Sequence, residues 1–367
     1  MPSRIWFLEG EKLGDNAQVL AILEALGLPW QAKRLYVKPE WRLGKPPFEV
    51  RLDHLDLVRS DPLQPPWPDL VIASGRRMAM AALWVKEQSG GRTKIAYVGR
   101  PRRWIERFDL VIGTAQYRLP HTANVLHLDL PLMRPDREAV AAAGRSWQAR
   151  LADLPRPLTA VLVGGQTKPY RFDAEVARDL LAAAEAERRK RGGSLYITTS
   201  RRTRPEAAAA LERHLPDGAR LFRWGQDTKP EDNPYLGLLA LADAFIVTGD
   251  SASMMVEVAR LGRLLAIFPL PVGVPFWERP LYALGRILHP RADATRRWWN
   301  TLLEPVGDLL YDTAGLPYSR DLTMLHDALI RRGMAARIGE EPRARQGTAE
   351  DELSLVAGRV RSLIASA

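Results

Sequence analysis

The chain has 367 residues, which is more than one hydrophobic core usually serves, so we expect two domains. It contains no cysteine, and this excludes disulfides, thiolate metal sites and cysteine nucleophiles. Lys and Arg together number 53 against 43 Asp and Glu, and the formal charge of +10 favours an anionic partner such as a nucleotide, a phospholipid surface or nucleic acid.

The first half alternates apolar runs, which are typical of buried parallel strands, with helical patterns. Strands are predicted over residues 4–8, 69–73, 94–98 and 109–113. Helices are predicted over residues 16–26, 77–86 and about 136–151. The stiff link Pro155-Arg156-Pro157 then ends this half.

The second half repeats the alternation more regularly, which predicts an α/β fold with doubly wound sheets. Strands are predicted over residues 158–163, 194–199, 220–224, 244–248 and 264–268. Helices are predicted over residues 174–188, 205–214, 235–241 and 253–261. Residues 270–318 are expected to be irregular, and residues 335–348 are expected to form a flexible tether before a final packed helix.

Two glycines follow the first strand of the second half, at the strand end where open α/β sheets bind ligands. Gly164 and Gly165 would let backbone N–H groups approach a phosphate closely, and Lys168 adds positive charge. A tight turn without any ligand explains the glycine pair equally well.

The next strand runs into Ser200-Arg201-Arg202-Thr203. Its two guanidinium groups and its hydroxyls stand where a helix is about to start, and arginine binds phosphate in a bidentate way. The alternative is that Thr203 caps the helix beside two surface arginines.

The loop after the strand over residues 244–248 contains the third group of candidates. A helix N-terminus there can hold a pyrophosphate through its N–H groups, and Glu257 can accept hydrogen bonds from ribose hydroxyls. The alternative is a displaced capping arrangement of Ser253 and Glu257. The candidate residues of this loop and helix are Asp250, Ser251, Ser253, Met254 and Glu257.

In the first half, Glu9 or Asp15 could act as the general base on an acceptor hydroxyl. Equally, Asp15 or Asn16 could only cap the first helix. Ser74-Gly75-Arg76-Arg77 could bind an anionic acceptor or could only form a turn.

The sequence lacks four motifs of other enzyme classes: a full Gly-x-Gly-x-x-Gly, a Walker pattern, a Gly-x-Ser-x-Gly elbow and a His-Glu-x-x-His helix. Dehydrogenase, hydrolase and metalloenzyme functions are therefore disfavoured, and no metal is expected.

Three motifs of the second half together resemble the family named for plant elongated-mitochondria fission factors: Ser200-Arg201-Arg202-Thr203, Asn233-Pro234-Tyr235 and the run from Thr248 to Met254. The resemblance spans roughly the first 270 residues, and the bacterial members of the family are described as glycosyltransferases. It implies a GT-B fold, with two Rossmann-like domains whose parallel sheets face each other across a cleft. It also implies a link to lipopolysaccharide or lipooligosaccharide core assembly in bacteria, and recruitment of a dynamin-like protein to mitochondria in plants.

On this resemblance, residues 1–154 form the acceptor domain, residues 155–334 the nucleotide-sugar donor domain, and residues 335–367 the tether and final helix. The loop Lys12-Leu13-Gly14-Asp15 replaces the commoner Pro-Gly-His form, which argues against a histidine base. The acceptor side is expected to use Gly14, Asn16, Gly75 and Arg76. The donor side is expected to use Gly164, Gly165, Lys168, Ser200, Arg201, Arg202, Thr203, Asp250, Ser251, Ser253, Met254 and Glu257.

The expected function is metal-independent transfer of a sugar from a nucleotide-activated donor to an anionic glycolipid, with the nucleotide sugar as co-substrate and no further cofactor or nucleic acid partner. The alternative is a non-catalytic scaffold that recruits proteins at a membrane surface. The N-terminus lacks a signal-peptide pattern, so a cytoplasmic location with peripheral contact at the inner membrane is expected. Arg100, Arg102, Arg103 and Trp104 could make that contact, or Trp104 could pack beside solvated arginines.

Overall fold

The computed structural model describes residues 3–42, 46–101, 103–114, 116–117, 119–225, 230–288, 321–341 and 352–365. These residues form two compact units. Unit 1 takes in the described residues of Met1–Met133, Pro280–Asp321 and Ala349–Ala367. Unit 2 takes in those of Arg134–Arg279 and Leu322–Thr348.

Unit 1 is built on a six-stranded sheet in the order β2-β1-β3-β4-β5-β6, and every neighbouring pair is parallel. The strands are β1 Ile5–Glu9, β2 Trp30–Arg34, β3 Leu70–Ser74, β4 Lys94–Val98, β5 Leu110–Thr114 and β6 Val125–Leu128. The helices before the second unit are α1 Leu13–Leu26, α2 Pro39–Arg42 and α3 Arg76–Gln88.

Both faces of this sheet are buried at its four inner strands, β1, β3, β4 and β5, which explains why these strands are continuously apolar. Successive side chains of a strand point to opposite faces, so Trp6 and Leu8 join the core on one side while Ile5 and Phe7 join the core on the other. The helix over Glu352–Ala365 places Val356 in that second core, beside α1. The predicted packing of the last helix is therefore confirmed.

Unit 2 holds a second six-stranded parallel sheet, in the order β12-β11-β10-β7-β8-β9. Its strands are β7 Leu158–Leu162, β8 Ser194–Thr198, β9 Arg220–Phe222, β10 Ala244–Thr248, β11 Leu264–Phe268 and β12 Ala336–Arg337. The helices from this part of the chain onward are α4 Arg137–Trp147, α5 Ala174–Arg191, α6 Pro205–Arg213, α7 Tyr235–Leu241, α8 Ala252–Arg260, α9 Arg279–Leu288, α10 Leu322–Arg331 and α11 Glu352–Ala365.

The predicted fold class, α/β with two Rossmann-like parallel sheets, is confirmed. Two local predictions are wrong. The supposed tether contains β12, which pairs with β11 at the sheet edge, and the supposed irregular stretch contains α9. Residues 289–318 and 342–348 of those two stretches lie outside the described residues.

The division between the units differs from the predicted boundary at residues 154 and 155. Unit 2 begins at Arg134 because α4 packs on α7. The contact is close: a Cβ on Gly237 would lie 2.4 Å from Cγ of Trp147, and one on Gly144 would lie 2.9 Å from Cβ of Ala240. Proline at 155 and 157 therefore follows the first helix of unit 2, and the functional assignment of the two predicted domains stays a prediction.

Candidate functional site

The sheet of unit 2 changes direction between β7 and β10. From β7 the chain moves outward through β8 to β9, whereas β11 and β12 lie beyond β10 on the other side. The loops that leave β7 and β10 therefore diverge at their carboxyl ends, which is where open α/β sheets bind ligands. Most of the predicted donor residues follow β7, β8 or β10.

Asp250 joins these loops by hydrogen bonds inside the protein. Its side chain is 1% exposed, and Oδ2 accepts the N–H of Gly165 at 2.9 Å and Nη1 of Arg202 at 3.0 Å. Oδ1 accepts the hydroxyl of Thr248 at 2.8 Å, and that hydroxyl in turn accepts the N–H of Gly164. Burial raises the pKa of Asp250, and the Arg202 guanidinium offsets part of that rise. Asp250 thus occupies the glycine N–H group that was predicted to meet a phosphate.

The glycine pair is explained by this contact. A Cβ on Gly164 would lie 2.4 Å from Oδ1 of Asp250, and a Cβ on Gly165 would lie 2.1 Å from the carbonyl oxygen of Arg202. Any larger residue would push the two loops apart. The glycines permit close packing between loops, and both are buried.

The loop after β8 is attached to the same point. Ser200 Oγ and Thr203 Oγ1 both donate to the carbonyl oxygen of Gly164, at 2.6 and 2.5 Å. Thr203 does not cap the next helix, so that alternative is wrong: α6 begins at Pro205, and Arg204 is the N-cap. Arg202 donates to Thr167 as well as to Asp250. Ser200, Arg202 and Thr203 therefore hold the loops together.

Two other cations of these loops remain exposed. Lys168 follows β7 and Arg201 follows β8, and within the described part of the chain neither side chain has an ion pair or hydrogen bond. Because β7 and β8 are neighbouring strands, both cations belong to the same edge of the sheet. They are available to an anion in a way that Arg202 is not.

Ser251 stands at the N-cap of α8, beside Asp250. It is 1% exposed, makes no side-chain cap, and its hydroxyl has no hydrogen-bond partner among the described residues. The carbonyl oxygen of Gly249, two residues before Ser251, accepts a hydrogen bond from Nε2 of His326 at 2.7 Å. Ser253 and Met254 follow in the first turn of α8 and are half-buried. The start of α8 thus offers the backbone N–H groups of a helix N-terminus and one hydroxyl that has no partner in the described part of the chain.

Glu257 lies one turn further along α8 and is already engaged. Its Oε2 accepts the hydroxyl of Tyr235 at 2.6 Å, which joins α8 to the start of α7. Asn233 accepts the backbone N–H of Tyr235 at 3.0 Å. Burial raises the pKa of Glu257 and raises that of Tyr235 well above its ordinary value. The capping alternative for Ser253 and Glu257 is wrong, and Glu257 has a structural partner that the sequence did not reveal.

Unit 1 has a corresponding direction change between β1 and β3. Asn16 binds the loop after β1 through both amide atoms, with Nδ2 donating to the carbonyl of Gly10 at 2.7 Å and Oδ1 accepting its N–H at 3.2 Å. Helix α1 begins at Leu13, so neither Asp15 nor Asn16 is its N-cap and that alternative is wrong. Asp15 instead lies against Gly75, where a Cβ would be 2.8 Å from its Oδ2.

The remaining acceptor candidates surround this point. Glu9 is half-buried at the end of β1 and forms an ion pair with Arg34 at 3.1 Å. Arg76 donates to the carbonyl of Pro46 and lies over the ring of Phe48, 5.6 Å from its centroid. Gly14 is exposed in the first turn of α1. Two carboxylates, Glu9 and Asp15, therefore come to the same sheet edge as the start of α3.

The proposed membrane cluster has a packed tryptophan. Trp104 is half-buried, lies 5.6 Å from the ring of Phe48 and is covered by Arg107 at 5.2 Å. Arg102 lies outside the described residues.

Across the described segments, no helix has the length and apolar character needed to span a bilayer. Nor do three His, Asp or Glu side chains converge there as metal ligands.

Comparison with known proteins gives a family match. The family model described as Mitochondrial fission ELM1 matches residues 14–283. The mitochondrial fission protein ELM1 of Arabidopsis thaliana is 27% identical over 225 residues, which are 53% of this chain and 50% of that protein. The uncharacterized protein RP120 of Rickettsia prowazekii (strain Madrid E) is 24% identical over 304 residues, which are 73% of this chain and 83% of that protein. The match thus spans about half the length of the Arabidopsis relative.

Solved structures resemble the chain more distantly. A putative UDP-N-acetylglucosamine 2-epimerase from Listeria monocytogenes has a TM-score of 0.49 at 11% identity, over 100% of this chain and 96% of that chain. UGT89C1 of Arabidopsis thaliana, complexed with UDP-L-rhamnose, has a TM-score of 0.45 at 12% identity, over 100% of this chain and 99% of that chain.

Proposed function

The chain belongs to the mitochondrial fission ELM1 family. We propose that it is a glycosyltransferase whose unit 2 holds the diphosphate of a nucleotide-activated sugar. The observation that supports the proposal best is Ser251, a buried N-cap residue whose hydroxyl has no partner among the described residues. A buried hydroxyl without a hydrogen bond costs about 1 to 3 kcal/mol, so such a group is normally kept for a ligand or a water.

The charges around Ser251 suit a diphosphate. Its own helix, α8, adds the partial positive charge of a helix N-terminus. Arg201 and Lys168 stand on the loops after β8 and β7, and β10, β7 and β8 are successive neighbours in the sheet. A charge-assisted hydrogen bond from either cation to a phosphate oxygen would contribute about 1.5 to 3 kcal/mol.

For the acceptor we propose a glycolipid of the lipopolysaccharide or lipooligosaccharide core, bound by unit 1 in peripheral contact with an anionic membrane. The acceptor hydroxyl gives its proton to Glu9 or Asp15 and its oxygen bonds to the anomeric carbon. The bond from that carbon to the diphosphate oxygen breaks, and the nucleoside diphosphate leaves. The α8 N-terminus and the two cations stabilise the negative charge of the leaving group, so no metal is required by this scheme.

A non-catalytic scaffold is the second candidate, and a specific observation favours it. Arg202, Asp250 and Glu257 all have partners within unit 2, so the fold alone explains their presence. A protein that had lost catalysis would still need these residues to hold its loops together. Fold membership by itself does not decide between the two candidates.

Thermal unfolding with a panel of nucleotides and nucleotide sugars tests the proposal. A ligand that binds only the folded protein raises its melting temperature, by an amount that grows with concentration. We expect a nucleoside diphosphate and its sugar derivative to stabilise the chain. Arg201→Ala should lose most of that shift, whereas Arg178→Ala, which removes an exposed arginine from α5, should keep it. Absence of any shift at saturating ligand would eliminate the transferase and favour the scaffold.

A further inference from the structure

Trp224 is an exposed aromatic residue two positions after the end of β9. Its side chain is 44% exposed, although its backbone N–H donates to Oγ1 of Thr199 at 2.8 Å. The preceding residue, Arg223, is ion-paired with Glu212 of α6 at 2.5 Å. Gly225 then turns the chain with a φ of 83°. The main chain at Trp224 is thus held by a hydrogen bond, and nearly half of the side chain is left uncovered by the described residues.

The position of this residue relates it to the diphosphate site. Trp224 follows β9, and β9 pairs with β8, which pairs with β7. Three strand spacings, about 14 Å, separate the carboxyl end of β9 from that of β10, where α8 starts. The loop that carries Arg201 lies between them. In a nucleoside diphosphate the ribose separates the base from the diphosphate, so a molecule held at Ser251 and Arg201 can extend its base toward β9.

We propose that Trp224 is the stacking platform for the base of the bound nucleotide. The inference rests on the proposed function, because it assumes that a diphosphate occupies the start of α8. Glu257, the residue predicted to bind the ribose, already uses Oε2 for the Tyr235 hydroxyl, so we expect a further group to contact the nucleoside. Stacking accepts any base, so Trp224 supplies affinity for nucleosides as a class and leaves the choice of base to other groups.

Calorimetric titration of variants with two probes tests this role. The probes are inorganic pyrophosphate and whichever of UDP, GDP, ADP and CDP binds the wild type most tightly. Trp224→Ala keeps the backbone N–H that Thr199 accepts, so the loop should stay in place. Trp224→Phe keeps an aromatic face, and Trp224→Leu keeps apolar bulk without one. Trp30→Ala is the matched control, because Trp30 is 41% exposed and stands at the start of β2 in unit 1.

We expect Trp224→Ala and Trp224→Leu to weaken the nucleoside diphosphate about tenfold and to leave pyrophosphate unchanged. Trp224→Phe and Trp30→Ala should bind both probes within about threefold of the wild type. Equal nucleotide affinity in Trp224→Leu and the wild type would overturn the stacking role. The stacking role would also be overturned if the wild type bound pyrophosphate as tightly as every nucleoside diphosphate. The proposed diphosphate site would be supported by that result. Binding of neither probe would remove the proposed function together with this inference.

Discussion

The carboxylate of Asp250 accepts the N–H of Gly165 at 2.9 Å, across 85 residues of sequence and between the two central strands of unit 2. An internal acid therefore takes the hydrogen bond that a phosphate would otherwise receive from a glycine loop. The polar residues at this edge of the sheet therefore divide into two groups. Asp250, Arg202 and Thr248 maintain the shape of the loops, while the side chains of Ser251, Arg201 and Lys168 have no partner among the described residues.

This division predicts different behaviour for two adjacent arginines. Arg202→Ala removes the cation beside a buried carboxylate and should lower the free energy of unfolding by about 1 to 3 kcal/mol. Arg201→Ala removes an exposed side chain and should change it by less than about 0.5 kcal/mol. Urea unfolding of both variants measures the difference. Equal stability of the two would mean that the contact between Arg202 and Asp250 does not support the loops.

The glycines give a second matched pair. Gly165→Ala places a methyl group 2.1 Å from the carbonyl oxygen of Arg202, so the loops must separate, and we expect a loss of about 3 kcal/mol or failure to fold. Gly14→Ala meets nothing within 4 Å and lies in α1, where alanine should stabilise by about 0.5 to 1 kcal/mol. Denaturant midpoints of both variants test this, and a tolerated alanine at position 165 would contradict the close approach.

Strands that are buried on both faces of a sheet could be predicted from the sequence, because their residues form continuous apolar segments. The predicted bounds of β10 and α7 agree with the structure to the residue. Strand β2 was missed because Trp30-Gln31-Ala32-Lys33-Arg34 is an edge strand with few apolar residues. Strand β12 was missed because two residues carry no periodic pattern. Edge strands are half-exposed, so hydrophobic periodicity signals them weakly.

The site was only partly readable, for a different reason. Residue type and strand order place the candidates at one edge, but they do not say which polar groups bind each other. Arg201 and Arg202 look alike in sequence and differ only because the second reaches Asp250. Glu257 looks like a ribose ligand until Tyr235, 22 residues earlier, is seen to donate to it. Trp224 had no motif around it, and only its exposure beside a backbone hydrogen bond to Thr199 distinguishes it.

His54 predicts a pH dependence of stability. It is buried in unit 1, where Nε2 donates to the carbonyl of Arg77 at 3.1 Å, and burial lowers its pKa from 6.5 to about 4. Between pH 6.5 and about pH 4, His54 is therefore protonated in the unfolded chain and neutral in the folded chain. Stability that is fully present above about pH 6.5 should fall as the pH drops toward 4, by up to about 3 kcal/mol from this group.

The comparison with His54→Gln isolates that contribution, because glutamine keeps an N–H donor near the same carbonyl and does not titrate. Unfolding free energies of both proteins are measured from pH 4 to 7.5. The variant should lose less stability over this range than the wild type does, since carboxylates titrate equally in both. Parallel curves would show that protonation of His54 does not limit the fold in acid.

The last prediction separates a hydroxyl that serves the fold from one that is left for a ligand. Thr248 uses its hydroxyl twice, for Asp250 and for Gly164, so Thr248→Val should cost about 1 to 3 kcal/mol of stability. Ser251 has no partner among the described residues, so Ser251→Ala should leave stability unchanged or raise it by up to about 1 kcal/mol. If a diphosphate accepts the Ser251 hydroxyl, the same change should weaken its binding about tenfold, as expected for a charge-assisted hydrogen bond. Thermal unfolding without ligand and calorimetric titration with a nucleoside diphosphate measure the two effects on one protein. A destabilised Ser251→Ala would reveal an internal role for this hydroxyl, and unchanged nucleotide affinity would move the diphosphate away from the start of α8.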